Sequence, residues 1–305
     1  MAAVPEAVFA DPGVDVVVIA TSNASHHALA KAALLAGKHV VVDKPCTVTL
    51  AQTDDLLATA RAQNRGLTVF QNRRFDADFL ALQQVLASGQ LGRVVHVESH
   101  FDRYRPGVPG RWRDQDLPGS GLWFDLGAHL LDQVLQLFGA PDALQADLAS
   151  QRDGAQTNDW FHAQLKYESR HPGLRVILHG SALVPEPGPR WAVHGTEGSF
   201  IKYGLDTQED ALKTGRRPHL DALQDWGHDP RVGEVVRHEA SADGVQRVRR
   251  PAPDVPGNYL LYYANLRDHL RGQGGLQVTP EQVRWVMAWL ALGEQSAIEG
   301  RFLTP

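Results

Sequence analysis

The chain has 305 residues, 43% of them hydrophobic and 21% charged, enough to bury the cores of two domains. A formal net charge of −5 offers nucleic acid no overall attraction, and no apolar run is long enough to span a bilayer. The single cysteine, Cys46, excludes a disulfide framework and a cysteine-based metal cluster, and with no basic-then-apolar leader it points to the cytoplasm.

In chain order, residues 15–20 (Asp-Val-Val-Val-Ile-Ala) are apolar at successive positions, which predicts a parallel strand buried on both faces. Residues 23–36 are helix formers that stop at Gly37, and residues 38–42 are a second buried strand. Thr49 caps another helix, which runs to Gly66, and residues 67–70 are a third strand. Strand and helix alternating in this way predict a doubly wound α/β sheet of the Rossmann type. After Asn72 the pattern changes. Residues 79–86 predict an amphipathic helix, residues 93–101 a half-exposed strand, residues 107–121 an arginine-rich loop, and residues 122–138 a strongly periodic helix. Strand-like runs follow at 143–149, 160–167, 174–183, 190–194 and 199–203, with helices at 259–270 and 280–299. Strands without intervening helices predict a large, mostly antiparallel sheet. The expected organisation is an α/β domain over 1–71 and an α+β domain over 72–305. The basic stretch 247–250 reads as a solvated loop.

Three clusters hold residues suited to chemistry. Asp43-Lys44-Pro45 follows the second strand, at the end where doubly wound sheets bind ligands. A lysine held there can exchange a proton once partly buried; taken alone, the tripeptide also fits a surface turn. Asp125 and His129 are four residues apart, hence on one face of a helix, where a carboxylate can orient an imidazole or simply form a surface pair. Thr21-Ser-Asn23-Ala-Ser-His26-His27 follows the first strand; its polar groups can bind a ligand or cap the helix. Neighbours in a helix do not face each other, so the His26-His27 pair is not a metal site, and no metal is expected.

Together these clusters resemble the Gfo/Idh/MocA family of oxidoreductases. Its Thr-Pro-x-x-x-His, Glu-Lys-Pro and Gly-rich Asp-x-x-x-His segments match residues 21–26, 43–45 and 119–129 in order and spacing. Tyr262-Tyr263-Ala-Asn265-Leu266 and the end of the last helix are also similar. Gln71-Asn72-Arg73-Arg74-Phe75, with residues 99–106 and Arg111-Trp112-Arg113, resembles the subgroup that contains NADP-dependent scyllo-inositol 2-dehydrogenase. The resemblance implies a dehydrogenase moving hydride between NADP(H) or NAD(H) and a secondary alcohol of an inositol or sugar. It assigns the catalytic positions to Lys44, Asp125 and His129, with His129 the acid/base, Asp125 orienting it and Lys44 bonding the hydroxyl. Thr21, Asn23, His26, Asp43, Lys44 and Gln71 would border the nicotinamide, approached by Trp112 and Arg113 from the second domain. The Arg103 to Arg113 loop, rich in donors, suits a polyol. A homo-oligomer through the C-terminal sheet is expected, with no nucleic-acid or membrane partner. A non-catalytic ligand sensor on the same fold is the alternative, and retention of the proton-transfer set argues against it.

Two departures stand out. Asp43 replaces the family's Glu. The family's opening strand, Gly-x-Gly-x-x-Gly turn, helix and second strand have no counterpart before residue 15, where Gly13 is the one glycine. The expectation is an incomplete dinucleotide domain that holds NADP(H) very weakly and turns over little or nothing, with an open edge on its first strand.

Overall fold

A computed structural model describes residues 4–219, 226–241 and 244–305. The first three residues of the opening segment, read above as lacking a glycine turn, lie outside them. The first sheet has three parallel strands in the order β1 (Val16–Ile19), β2 (His39–Asp43), β3 (Leu67–Phe70). The valines at 40, 41 and 42 are at most 1% exposed, as a two-sided burial predicts. Helices α2 (Asn23–Leu35) and α3 (Leu50–Ala62) flank the sheet, and a short α1 (Pro5–Ala10), not expected from the sequence, precedes it. Thr49 caps α3, its hydroxyl accepting from the Gln52 N–H at 3.2 Å. Among the described residues β1 pairs only with β2, and Val18 on it is half exposed.

A 3₁₀ turn over Asn72–Phe75 leads into α4 (Ala77–Ala87) and then the large sheet. Its strands are β4 (Val94–Asp102), β5 (Ala143–Ala149), β6 (Trp160–Tyr167), β7 (Leu174–Ser181), β8 (Trp191–Gly195), β9 (Gly198–Lys202), β10 (Glu234–Ser241) and β11 (Gly244–Pro251). Their order is β11-β10-β9-β8-β4-β7-β6-β5. Every pairing is antiparallel except β4 with β7. The sequence reading missed α6 (Gln208–Lys213) and the β10–β11 hairpin. The stretch 247–250 is therefore edge strand, not loop; its side chains are mostly exposed on both faces, so no apolar alternation announces it.

One face of the sheet is covered by α5 (Ala128–Phe138) and α8 (Pro280–Glu299). Strand β6 alternates between buried and half-buried along its whole length, which records one packed and one open face. The C-terminal helices also reach the first sheet. The Thr68 hydroxyl of β3 donates to the Val278 carbonyl at 2.9 Å, and α8 packs on α3 and β3. Helix α7 (Leu260–Leu270) adds Tyr262, whose hydroxyl lies 3.3 Å from that of Thr68.

Candidate active site

A cavity of about 450 Å³ opens where the carboxyl ends of β2 and β3 meet the second domain. Asp43 and Lys44 reach it from the first domain; Arg103, Arg113, Asp125 and His129 reach it from the second. Two glycines shape the wall that carries Asp125. Gly119 and Gly121 have φ of +76° and +84°, a region that L side chains avoid. A Cβ at 119 would also meet Val48 Cγ1 at 2.6 Å, and one at 121 would meet Asn158 Nδ2 at 2.5 Å. Asn158 then pins the next residues: its carbonyl accepts from Leu122 N–H and its Oδ1 from Trp123 N–H.

The helix that follows opens with one π turn, Trp123–Gly127, before α5 begins at Ala128. Such wide turns recur at functional sites. This one changes the expected pairing. In a regular α-helix Asp125 and His129 would stack one turn apart; the extra residue in the wide turn removes that registry. Asp125 Oδ1 instead accepts from Lys44 Nζ at 2.9 Å, and the same ammonium donates to the Asp125 carbonyl at 2.6 Å. Arg113 Nε stands 3.9 Å from the carboxylate. Asp125 is thus the counter-ion of Lys44, and no hydrogen bond joins it to His129; the orienting role expected from the sequence is corrected.

The electrostatics follow from this packing. Burial alone would raise the Asp125 carboxyl, but Lys44 and the arginines at 113 and 103 hold it well below the usual carboxylate range. His129 is 5% exposed. Burial, then the charges of Lys44, Arg73, Arg103 and Arg190, push its imidazole well below the ordinary range, so the ring is neutral at pH 7. Its Nδ1 is buried without a hydrogen-bond partner, and its ring stacks near Phe101 with centroids 6.4 Å apart. Arg103 lies over the same Phe101 ring at 4.6 Å. Among the described residues its guanidinium has no carboxylate or carbonyl acceptor, and burial brings it down to about 10.

The other expected contacts sort into two groups. Asp43 lines the cavity, its Oδ1 accepting from the Lys44 N–H at 2.8 Å. Gln71 is 2% exposed, directly after β3, and its Oε1 has no partner. Asn23 and His26 do not line the cavity; they brace it. Asn23 Nδ2 donates to the Gly119 carbonyl at 2.8 Å. The His26 ring lies fully buried between the carbonyls of Pro45 and Thr21, at 3.0 and 3.2 Å. Together they fasten the Lys44 turn and the glycine turn to the start of α2. Thr21 is exposed and bonds Ser25, and Trp112 lies under the Arg113 guanidinium, 5.0 Å from its ring centre. Residues the sequence reading missed also line the cavity, among them Asn158, Ser181 and Glu209. They come from three distant segments, and no local motif marks them.

Glu209 illustrates how the cavity rim is held. Burial pushes its carboxyl up, but hydrogen bonds and charge from Lys213 and Arg73 bring it down to about 2. The partners stand at 2.7 and 2.5 Å. A carboxylate depressed in the fold contributes stability above its unfolded value, near 4.5, and loses it as pH falls toward about 2. Glu209→Gln is therefore expected to be less stable than the parent at neutral pH and to converge on it as pH falls through this window. Urea midpoints taken across the range check this; a constant gap would show that the carboxylate's charge contributes nothing.

Comparison with known proteins agrees with this geometry. Residues 2–71 match the family profile described as "Oxidoreductase family, NAD-binding Rossmann fold", and residues 83–304 the one described as "Oxidoreductase family, C-terminal alpha/beta domain". The chain is 52% identical to the uncharacterized oxidoreductase YdgJ of Escherichia coli K12 over 293 residues, 96% of this chain and 82% of that protein. It is 38% identical to scyllo-inositol 2-dehydrogenase (NADP(+)) IolW of Bacillus subtilis 168 over 291 residues, 95% of this chain and 79% of that protein. The solved structure of the YPO2259 oxidoreductase from Yersinia pestis superposes with a TM-score of 0.90 at 47% identity, covering 99% of this chain and 83% of that one. No helix among the described residues is long and apolar enough to cross a membrane. The residues at the carboxyl ends of β2 and β3, including the orphaned Gln71 Oε1, suit a nicotinamide dinucleotide, the cofactor class of the matched Rossmann profile. The chain belongs to the Gfo/Idh/MocA family of oxidoreductases.

Proposed function

We propose that the protein is an NADP(H)-dependent dehydrogenase acting on a secondary alcohol of an inositol or pyranose sugar. The observation that carries this reading is a buried, neutral imidazole, His129, sharing one cavity with a Lys44–Asp125 ion pair. The cofactor supplies the hydride acceptor. His129, neutral and with a free ring nitrogen to offer, takes the proton from the substrate hydroxyl. Lys44 donates a hydrogen bond to the same oxygen while Asp125 balances its charge. Arg103, without an acceptor of its own, presents a planar pair of donors to neighbouring hydroxyls. A site built from such donors discriminates strongly against ligands that cannot match them. The name of the Bacillus relative, an NADP(+) scyllo-inositol dehydrogenase, supports both the substrate class and NADP over NAD.

Enzyme produced from the native gene should reduce NADP(+) with inositols or pyranoses and respond weakly to short 2-hydroxy acids. Nicotinamide absorbance over such a panel checks this, and a preference for the short acids would sink it. The open face of the large sheet would pair with a second copy, giving a homo-oligomer whose mass light scattering would report.

A further inference from the structure

The open face of the eight-stranded sheet carries a row of histidines. Alternation along β4 places His96, Glu98, His100 and Asp102 on the same side. On β7, His179 stands opposite His100, and on β6, His162 stands opposite His179. The rings of His100 and His179 are 5.3 Å apart, those of His179 and His162 5.9 Å.

Asp102 sits among them in an unusual state. Its side chain is 6% exposed, yet Oδ1 has no hydrogen-bond partner. Two imidazole nitrogens stand beside it: His179 Nε2, 3.5 Å from Oδ1, and His100 Nδ1, 3.5 Å from Oδ2. Those gaps are long for hydrogen bonds. A buried carboxylate oxygen left unpaired is costly, and an ion between the three groups would supply what the chain does not. One ligand atom from each of His100, Asp102 and His179 lies within 4.8 Å of the other two.

We propose that His100, Asp102 and His179 bind one divalent transition-metal ion of the zinc class, on the sheet face and apart from the cavity of Lys44 and His129. Two imidazole nitrogens and a carboxylate oxygen are the donors zinc prefers, with water completing the tetrahedron. Magnesium and calcium call for oxygen ligands and fit this set poorly. His100 and Asp102 border a second cavity of about 370 Å³, which gives an ion a way in.

Chelator-stripped protein titrated with zinc sulfate at neutral pH should take up one zinc per chain, undiminished by excess magnesium. His179→Ala and His100→Ala should each weaken uptake at least about 100-fold, beyond what losing an outer partner of a metal ligand costs. Asp102→Asn keeps the side chain's shape and should weaken uptake by about 10-fold or more, while circular dichroism stays that of the parent. His238→Ala, on exposed β10, should bind like the parent. An absence of saturable uptake overturns the site, and so does parent-like affinity in Asp102→Asn.

Discussion

Replacing His129 with alanine is expected to lower turnover by about 10²- to 10⁴-fold, the usual worth of a positioned acid/base. The imidazole is buried, neutral and has an unpaired ring nitrogen. Lys44 is an ammonium held by two oxygens of Asp125, so it cannot accept a proton without first losing one. The pH profile separates the two. A neutral base works above its own pKa, and that of His129 lies well below the ordinary 6.5. Oxidation by the parent should therefore hold its plateau as pH falls through 6.5 and decline only below it. Substrate affinity in His129→Ala should change far less than turnover, because the donors of Lys44 and Arg103 remain. Turnover near the parent's in His129→Ala would move the base elsewhere. Lys44→Met tests the partner role: it removes the donor to the hydroxyl and leaves the Asp125 carboxylate without its counter-ion, so both binding and turnover should suffer.

The largest effect on stability is expected at Asp132, outside the cavity. Arg74, on the turn between the two sheets, makes a two-pronged pair with it: Nε to Oδ2 at 2.8 Å and Nη2 to Oδ1 at 2.6 Å. The third nitrogen, Nη1, donates to the Gln277 carbonyl at 2.7 Å and to Gln282 Oε1 at 2.8 Å. Arg74 is 7% exposed and Asp132 2%. The network thus joins the domain boundary, α5 and the start of α8. Asp132→Ala leaves a buried guanidinium without its counter-charge, which costs about 3–5 kcal/mol. The double variant Arg74→Met with Asp132→Leu removes both charges and should recover most of that loss, since well-packed apolar replacements of buried pairs are often near neutral. Denaturant unfolding of the three proteins decides it. A loss for Asp132→Ala below about 1 kcal/mol, the range of a solvated pair, would mean that water reaches the site.

Much of this molecule was legible in the chain itself. The valine run ending at Val42 announced a strand buried on both faces, because covering a sheet on two sides leaves no polar alternation; the run ending at Ile19 also formed a strand, but one face of it stays open at Val18, so the two-sided burial expected there is corrected. The helix expected over 280–299 is α8, with the same bounds, and the structure adds a capping box of Thr279 and Gln282 at its start; such local devices act over three or four residues and need no tertiary context. The order of the Lys44, Asp125 and His129 segments pointed to the family. Other features depended on contacts between distant residues. Strands β10 and β11 escaped notice because an edge hairpin exposed on both sides has no reason to alternate. The carboxylate of Asp125 went to Lys44 rather than His129 because a π turn, set by packing around Trp123 and Asn158, shifted the helix registry. His26, read as a cofactor contact, became a brace because two carbonyls close on its ring from both sides. The histidine row on the large sheet joins β4 to the consecutive strands β6 and β7, which lie far from it in the chain. Spacing within each strand reveals which side a residue faces, but which strands lie side by side is a property of the folded sheet, and only the tertiary structure brings those rings together.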